Sequence, residues 1–449
     1  MTSAKKILEL NAFDMTKTDA LDRDSADLVA RRQRTFGPTS MLFYKQPLNL
    51  VRGEGVWLYA ADGTRFLDAY NNVPSCGHCH PRVVDAVTRQ MGTLNTHTRY
   101  LYDSVYTYAE RLLATFPVEI SNIVFTCTGS ESVDLALRIA RTVTGATGFI
   151  ATENAYHGNT SLVTEVSPSS ASAEPHSSNV FLVPAPDTYR LGTETACRHF
   201  TEGVASALRQ MEAKGIKPAA MIADSILSSD GVYPGTPGFL ADAVALIRQA
   251  GGLYIADEVQ PGFGRTGQTM WGFQRHGIVP DLAVMGKPMG NGYPIGGVAA
   301  KPALLAAFGK GSGYFNTFGG SPVASAAGLA VLDILQSEGL QDNARDTGVY
   351  LLAGLQEASA QHGCVGDVRG AGLYVGYEFV RSRQSRAPDQ AAATFAVNAL
   401  RQRGILVGTA GLHGNILKIR PPLCFKREHA DMLIEGMSSV LEDMKLQEV

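Results

Sequence analysis

A chain of 449 residues exceeds what a single hydrophobic core serves, so two or more packed domains are expected. Its hydrophobic share of 45% and charged share of 18% are those of a globular protein, and a net charge of −3 offers no general attraction to nucleic acid or to an anionic membrane surface. Six cysteines in this length do not make a disulfide framework, and no uninterrupted apolar run is long enough to span a bilayer.

The N-terminus, Met1-Thr-Ser-Ala-Lys-Lys-Ile-Leu-Glu-Leu, soon runs into Asp14, Asp19, Asp22 and Asp24. It lacks the apolar region of a secretion signal and is too acidic for a transit peptide, so a cytoplasmic location is expected. Residues 1–64 form a first block, expected to pack with the small domain, with a helix over 24–36 and a short hairpin over 44–59 that ends at Asp62-Gly63. Cys76-Gly-His-Cys79-His80 matches the pattern of covalent haem attachment. That chemistry accompanies export, and the stretch reads instead as a polar loop before a helix beginning near Pro81. A zinc site would need a second ligand pair at similar spacing, and none follows, so no metal is expected.

From residue 65 to about 325 apolar strands alternate with amphipathic helices. Strands are expected at 122–127, 148–152, 178–183, 219–224, 252–257 and 281–285, with helical periodicity between them, as at 106–116 and 240–250. Such alternation predicts a mainly parallel sheet with right-handed crossovers, an α/β large domain. A long helix over about 322–338 leads into residues 326–449. There 367–379 and 415–425 read as strands and 389–403 and 427–445 as helices, a small α+β domain.

Chemistry concentrates at the strand ends. Phe125-Thr-Cys-Thr-Gly129-Ser130-Glu131-Ser132 follows a strand and opens a helix whose apolar face is Val133, Ala136, Leu137 and Ala140. Its glycine and serine offer free N–H groups, a hydroxyl and the positive end of the helix dipole, a phosphate cup. Alone it would be no more than an N-cap by Thr128 or Ser130. Tyr156-His157-Gly158 follows the next strand and places an aromatic face where a ring could stack, although tyrosines are more often core residues.

Gly252-Leu-Tyr-Ile-Ala-Asp257-Glu258-Val259-Gln260 is an apolar run that buries a carboxylate, and thirty residues after Asp257 a second such run ends in an ammonium, Lys287. Lone buried charges are strongly disfavoured, so the two together point to chemistry. They suit pyridoxal phosphate: a lysine forms the Schiff base, and an aspartate keeps the pyridinium nitrogen protonated so that the ring accepts electrons. Between them, Gly262-Phe-Gly264-Arg-Thr-Gly267 fits the dinucleotide fingerprint, with Asp281 at the distance of a ribose ligand. The following Gln-Thr-Met-Trp-Gly-Phe is a poor helix opening, and Asp257 and Glu258 would repel a pyrophosphate. A plain mobile loop is expected.

Taken in order, Thr128-Gly-Ser-Glu131, Tyr156-His-Gly158, Asp257-Glu-Val-Gln-Pro-Gly-Phe-Gly-Arg-Thr-Gly267, Met285-Gly-Lys287 and Asn316-Thr-Phe-Gly-Gly-Ser-Pro322 resemble the class III aminotransferases from about residue 40 to the C-terminus. The resemblance implies the type I fold of pyridoxal-phosphate enzymes and a homodimer with shared active sites. It makes Lys287 the Schiff-base lysine and Asp257 the partner of the ring nitrogen. Gly129 and Ser130 would bind the cofactor phosphate, Tyr156 would stack on the ring and Gln260 would lie near its 3′ oxygen. His157 and Val259, inside the same motifs, count with the cofactor residues, and Thr317 would reach the phosphate of the neighbouring subunit.

The departures narrow the resemblance. Where the family usually has Glu-Pro the chain has Asp224-Ser225; the family's glutamate pairs with an arginine matching Arg420. Gln46-Pro-Leu-Asn-Leu-Val-Arg-Gly-Glu-Gly55, Gly77-His-Cys-His-Pro81, Leu94-Asn-Thr-His-Thr-Arg-Tyr-Leu101, Pro186-Asp-Thr-Tyr-Arg190 and Asn415-Ile-Leu-Lys-Ile-Arg-Pro-Pro-Leu-Cys-Phe425 look like the ethanolamine-phosphate phospho-lyase branch. That branch implies elimination of phosphate from a small phosphorylated amine, giving acetaldehyde, ammonia and inorganic phosphate. Lysine as general base removes the Cα proton, and a phosphate on the β-carbon leaves without any keto-acid acceptor. Arg420 and Arg99 are the cations expected to meet the substrate phosphate, ahead of Arg34 and His78. Asp224 joins the substrate residues, with an Arg420–Asp224 ion pair and a solvated Arg99 as the plain alternatives. An ω-aminotransferase, a phosphohydroxylysine phospho-lyase and a non-catalytic pyridoxal-binding protein are the competing functions; the last needs no internal base.

Overall fold

The structure, a computed structural model, describes residues 11–170 and 177–447; the N-terminal decapeptide weighed above lies outside them. Its centre is a seven-stranded sheet whose strands in chain order are β1 (Asn122–Thr126), β2 (Gly148–Thr152), β3 (Val180–Val183), β4 (Pro218–Asp224), β5 (Leu253–Asp257), β6 (Leu282–Met285) and β7 (Gly296–Ala300). Across the sheet they lie in the order β1-β7-β6-β5-β4-β2-β3. β3, β2, β4, β5 and β6 pair in parallel, while β7 runs antiparallel to both β6 and β1.

The six expected strands are present, and β7 is the one the sequence pattern did not announce. Gly-Gly-Val-Ala-Ala has little β-branched or aromatic content, and it forms a strand because its small residues fit a position buried throughout. β2 and β6 are likewise buried along their whole length, as strands covered on both faces by helices must be. Each fully buried Leu, Ile, Val or Met of these strands contributes about 1.5–3 kcal/mol over an exposed one.

The helix Gly129–Thr144 packs on β4, β6 and β7 and ends at Gly145, whose φ of 64° suits glycine. The helix Pro322–Ser337, started by Ser321 and a first-turn proline, is almost wholly buried against the helices Pro81–Met91 and Asp103–Leu113 and against the turn that carries Lys287. Gly328 lets it come that close: a Cβ there would lie 2.3 Å from the Tyr108 ring.

Two smaller sheets complete the described chain. Strands Leu50–Glu54, Trp57–Ala60 and Arg65–Asp68 form an antiparallel meander, and Ile405–Leu406 adds to its edge in parallel, so the N-terminal block is stitched to the C-terminal one. The third strand lies past residue 64. The other sheet has Val365–Gly370, Val375–Phe379, Ile416–Ile419 and Gly408–Ala410 in that order, all antiparallel. The segment expected as one strand over 367–379 is a hairpin turning at Gly372, φ 54°. The strand expected over 415–425 stops at Ile419, because Pro421 and Pro422 cannot continue a ladder. The expected helices over 389–403 and 427–445 are Gln390–Gln402 and Arg427–Gln447. No single helix among the described residues is long and apolar enough to cross a membrane.

The sequence decoys resolve into packing. His78 bonds Asp68 at 2.6 Å and His80 caps the helix Pro81–Met91, so Cys76-Gly-His-Cys79-His80 is the loop that was expected. Among the described residues no His/Cys/Asp/Glu cluster could hold a metal. The Gly262–Gly267 loop was expected to be mobile and is instead buried throughout. Arg265 inside it is 1% exposed and donates to the Leu373 and Pro421 carbonyls, while Gly267 lies against the backbone of Arg345. Asp281 is no ribose ligand: it accepts from Lys301 at 2.5 Å, Arg248 at 3.1 Å and the Tyr254 N–H at 2.9 Å.

Candidate active site

The carboxyl ends of parallel strands converge where the sheet's connections are open, which is where α/β sheets bind ligands. β4 and β5 are in register there, so Asp224 stands beside Asp257. The Asp257 carboxylate is held on both oxygens: His157 Nδ1 lies 2.6 Å from Oδ2, and the Val259 N–H donates to Oδ1 at 3.0 Å. His157 is itself fixed by its backbone N–H to the Ser167 hydroxyl at 2.9 Å, and its buried Nε2 has no hydrogen-bond partner among the described residues. His157 was expected among the cofactor residues; its place in the structure is behind Asp257, orienting it.

Lys287 opens a short turn after β6 and lines a cavity of about 210 Å3 together with Tyr156, Gln260, Arg420 and Lys418. Burial, reinforced by Arg420 and opposed by Asp257 and Asp224, lowers the Lys287 ammonium to a pKa of about 8. A lysine so placed supplies a neutral amine near neutral pH, as a nucleophile or base requires.

The helix Gly129–Thr144 begins beside this lysine. Thr128 caps it, accepting from the Glu131 N–H at 3.1 Å, so the Gly129 and Ser130 N–H groups stay free. Gly129 packs tightly: a Cβ would come within 3.1 Å of the Val259 side chain, and Gly286 packs on the other side. Gly158, at φ 142°, lies directly on Ser130, where a Cβ would meet the hydroxyl at 2.5 Å. The arrangement fits pyridoxal phosphate. Free N–H groups at a dipole end suit its phosphate, a fixed carboxylate suits its ring nitrogen, and a depressed amine suits its aldehyde.

The expected substrate residues are not all brought together. Arg420 lines the cavity, and the ion pair with Asp224 that was its plain alternative is absent. Its Nη1 donates to the Asn72 side chain and, at 3.1 Å, to Gln260 Oε1; its guanidinium stacks 4.6 Å from the Tyr70 ring, and its Nε has no partner. Asp224 is too well satisfied to reach for it, accepting from the Ile226 N–H at 2.8 Å and the Ser228 N–H at 3.0 Å. Burial and the neighbouring Asp257 raise its pKa.

Gln260 is anchored from both sides, donating to Ser228 at 2.6 Å and accepting from the Tyr374 hydroxyl at 2.8 Å. Arg99 lies outside this cavity, exposed, 3.9 Å over the Phe315 ring. Arg34 is also exposed, and His78 is engaged by Asp68. Thr317 is exposed on the loop after Pro302–Gly311. Its neighbour Asn316 donates to Glu131 at 3.3 Å, tethering the loop to the start of the cofactor-side helix.

Sequence reasoning missed Phe43, Tyr70 and Lys418, which also line the cavity, and Asp230, buried next to it. Asp230 accepts from Thr152 Oγ1 at 2.7 Å and the Asn154 N–H at 3.0 Å, and burial pushes its carboxyl up to about 6. Phe43 and Tyr70 belong to no motif. Lys418 sits inside Ile-Leu-Lys-Ile, where a lone charge in an apolar strand reads as an outward-facing position.

The geometry agrees with comparisons to known proteins. A family model described as Aminotransferase class-III matches residues 43–441. The chain is 43% identical to a phospholyase from Arthrobacter solved in complex with phosphoethanolamine, with a TM-score of 0.90 over 93% of this chain and 99% of that one. It is 36% identical over 439 residues to ethanolamine-phosphate phospho-lyase homolog 1 of Caenorhabditis elegans, covering 93% of this chain and 94% of that protein. It is also 39% identical over 430 residues to an alanine–glyoxylate aminotransferase 2-like protein of Drosophila melanogaster, covering 92% and 87%.

Proposed function

The chain belongs to the class III aminotransferase family of pyridoxal-phosphate enzymes, and from that premise we propose that it is a phospho-lyase converting ethanolamine phosphate and water to acetaldehyde, ammonia and inorganic phosphate. One observation carries the choice of an anionic substrate. Arg420, a buried guanidinium beside Lys287, has neutral partners and an idle Nε, a standing receptor for an anionic group. The phosphoethanolamine held by the Arthrobacter relative supports the same choice.

When bound, the cofactor supplies an electron sink for the carbon next to the substrate amine. Gly129 and Ser130 would hold its phosphate, Asp257 its ring nitrogen, and Tyr156, Val259 and Gln260 would flank its ring. Lys287 would attach its aldehyde carbon and, once displaced by the substrate amine, take the proton from the substrate carbon. An amine with a pKa near 8 can both accept that proton and give it back near neutral pH. Arg420 would hold the β-phosphate as it leaves.

The same reading includes a homodimer with shared sites. Leu101 is 89% exposed, Phe318 71% and Tyr100 63%, an apolar surface that a second subunit would cover, and Thr317 beside it would reach the partner subunit's phosphate site. The absence of any disulfide among the described residues fits a reducing compartment such as the cytoplasm.

The test is direct. The purified protein, incubated with ethanolamine phosphate and no keto acid, should release phosphate and acetaldehyde in equal amounts over many turnovers. Sustained amino transfer to pyruvate or 2-oxoglutarate with no phosphate released would assign it to the aminotransferases instead.

A further inference from the structure

Lys418 lies in the strand Ile416–Ile419, is 4% exposed, and faces the Lys287 cavity. Its cross-strand neighbours are both glycines, Gly376 on one side and Gly408 on the other, so no side chain stands next to it in its own sheet. The space over Gly408 is taken by the Tyr70 ring, which a Cβ there would strike at 2.2 Å; that ring also stacks on Arg420. Lys418 and Arg420 are two residues apart, so both project to one face.

Among the described residues, the Lys418 ammonium makes no hydrogen bond or ion pair. The charged groups that act on it are Arg420, Asp224, Lys287 and Asp230. The acids are occupied: Asp224 by the N–H groups of Ile226 and Ser228, Asp230 by Thr152 and the Asn154 N–H. Burial, then Arg420, drives the Lys418 pKa well below the ordinary lysine range. An unpartnered ammonium inside a protein is costly, and the cost is offset when an anion arrives.

We propose that Lys418, with Arg420, forms the receptor for the substrate's phosphate group, and that its place in the wall selects a phosphate monoester over a carboxylate. Two cations without carboxylate partners match a group carrying close to two negative charges and several acceptor oxygens; a carboxylate brings one charge. The identity of the substrate rests on the phospho-lyase reading, but the anion receptor itself does not.

The cofactor-loaded enzyme tests both separately. Inorganic phosphate binding is measured by calorimetry at saturating cofactor, so that the cofactor's own phosphate site is filled. Lys418→Met should weaken that binding, and raise KM for ethanolamine phosphate, by about thirtyfold or more, the loss of one desolvated charge-assisted contact. Its cofactor absorbance should stay, and its Tm should hold or rise, because an unpartnered buried amine has been replaced by an apolar side chain. Lys418→Gln, closer in shape, is measured in parallel and keeps the question open to an answer if the methionine variant does not fold. Phosphate binding unchanged in either variant, or a Tm several degrees lower with phosphate binding intact, would overturn the proposal and leave Lys418 a structural residue. Wild-type enzyme that releases no phosphate from ethanolamine phosphate, yet binds phosphate in a Lys418-dependent way, would sink the proposed reaction and uphold the receptor.

Discussion

The two walls of the cavity are finished in opposite ways. Behind the lining on the sheet side lie three buried acids, Asp224, Asp230 and Asp257, and each has both carboxylate oxygens engaged by protein donors. On the small-domain side, among the described residues, Lys418 has no hydrogen-bond or ion-pair partner and Arg420 only neutral ones. A buried carboxylate with every oxygen satisfied is a permanent fixture of the fold. A buried cation without a counter-charge is a vacancy for a ligand's charge. Under the proposed function, the contrast means that the groups assigned to the cofactor are pre-ordered and those assigned to the substrate are left open.

Lys287 lies between the walls, and removing it should have the largest effect. Lys287→Ala loses both the attachment point and the base, so turnover of ethanolamine phosphate should fall by at least about four orders of magnitude. Borohydride treatment of the wild type should fix the cofactor irreversibly onto this residue, read by mass spectrometry of the peptide. A variant that keeps substantial activity would show that the base is elsewhere.

The acid wall is tested next. Asp257→Asn keeps the shape and removes the charge that would hold the ring nitrogen protonated, so turnover should drop by about two to three orders of magnitude while cofactor remains bound. His157→Phe leaves the carboxylate but loses the 2.6 Å contact that aims it, and should cost less, about tenfold, in kcat with KM unchanged. Equal losses in the two variants would mean that the histidine does more than position Asp257.

How far this contrast was legible in the sequence depends on what each wall is made of. Asp224, Asp257 and Lys287 sit at the ends of continuous apolar runs, and Gly129-Ser130 opens an amphipathic helix right after a strand; hydrophobic period and position in the run locate such residues, whereas Asp230, six residues past its strand, has no such signal. The cationic wall is assembled from Arg420, Lys418 and Tyr70, which belong to separate elements and meet through tertiary packing. Lys418 in Ile-Leu-Lys-Ile reads as an outward-facing strand position, and nothing local shows that the small domain turns that face inward. The Gly262–Gly267 loop failed for the same reason: its glycines look like freedom, but Arg345, Gly372 and the Pro421 carbonyl clamp it from elements far along the chain. β7 escaped because glycine and alanine carry no strand period to detect.

The pH response of Lys287 sharpens the contrast, because the lysine feels both walls. With a pKa of about 8, lowered by burial and Arg420, it is mainly ammonium below that pH and mainly neutral amine above it. Cofactor uptake by the apoenzyme needs the neutral amine, so its rate should rise toward pH 8 and level off above. An ordinary lysine would keep the rate climbing to about pH 10. Arg420→Gln removes a neighbouring positive charge, and the midpoint should move to higher pH; stopped-flow absorbance across pH 6.5–10 reads both. A midpoint that stays put would mean that the two cations do not feel each other.

The smallest expected effect lies outside both walls, at Thr317. Its side chain is exposed and its loop is tethered through Asn316 to Glu131 at the start of the helix Gly129–Thr144, so Thr317→Ala should leave the monomer's fold and stability unchanged within about 0.5 kcal/mol. If the hydroxyl donates to the partner subunit's cofactor phosphate, its loss removes one charge-assisted hydrogen bond per site, about 1.5–3 kcal/mol at most and less where water can substitute. Cofactor retention during dialysis should therefore weaken by about tenfold, and because bound cofactor would then bridge the two chains, the dimer should dissociate at correspondingly higher protein concentration. Both changes should vanish when cofactor is supplied in excess. Weaker dimers with normal cofactor affinity would place Thr317 in a plain contact surface, and no change in either measurement would detach it from the site altogether.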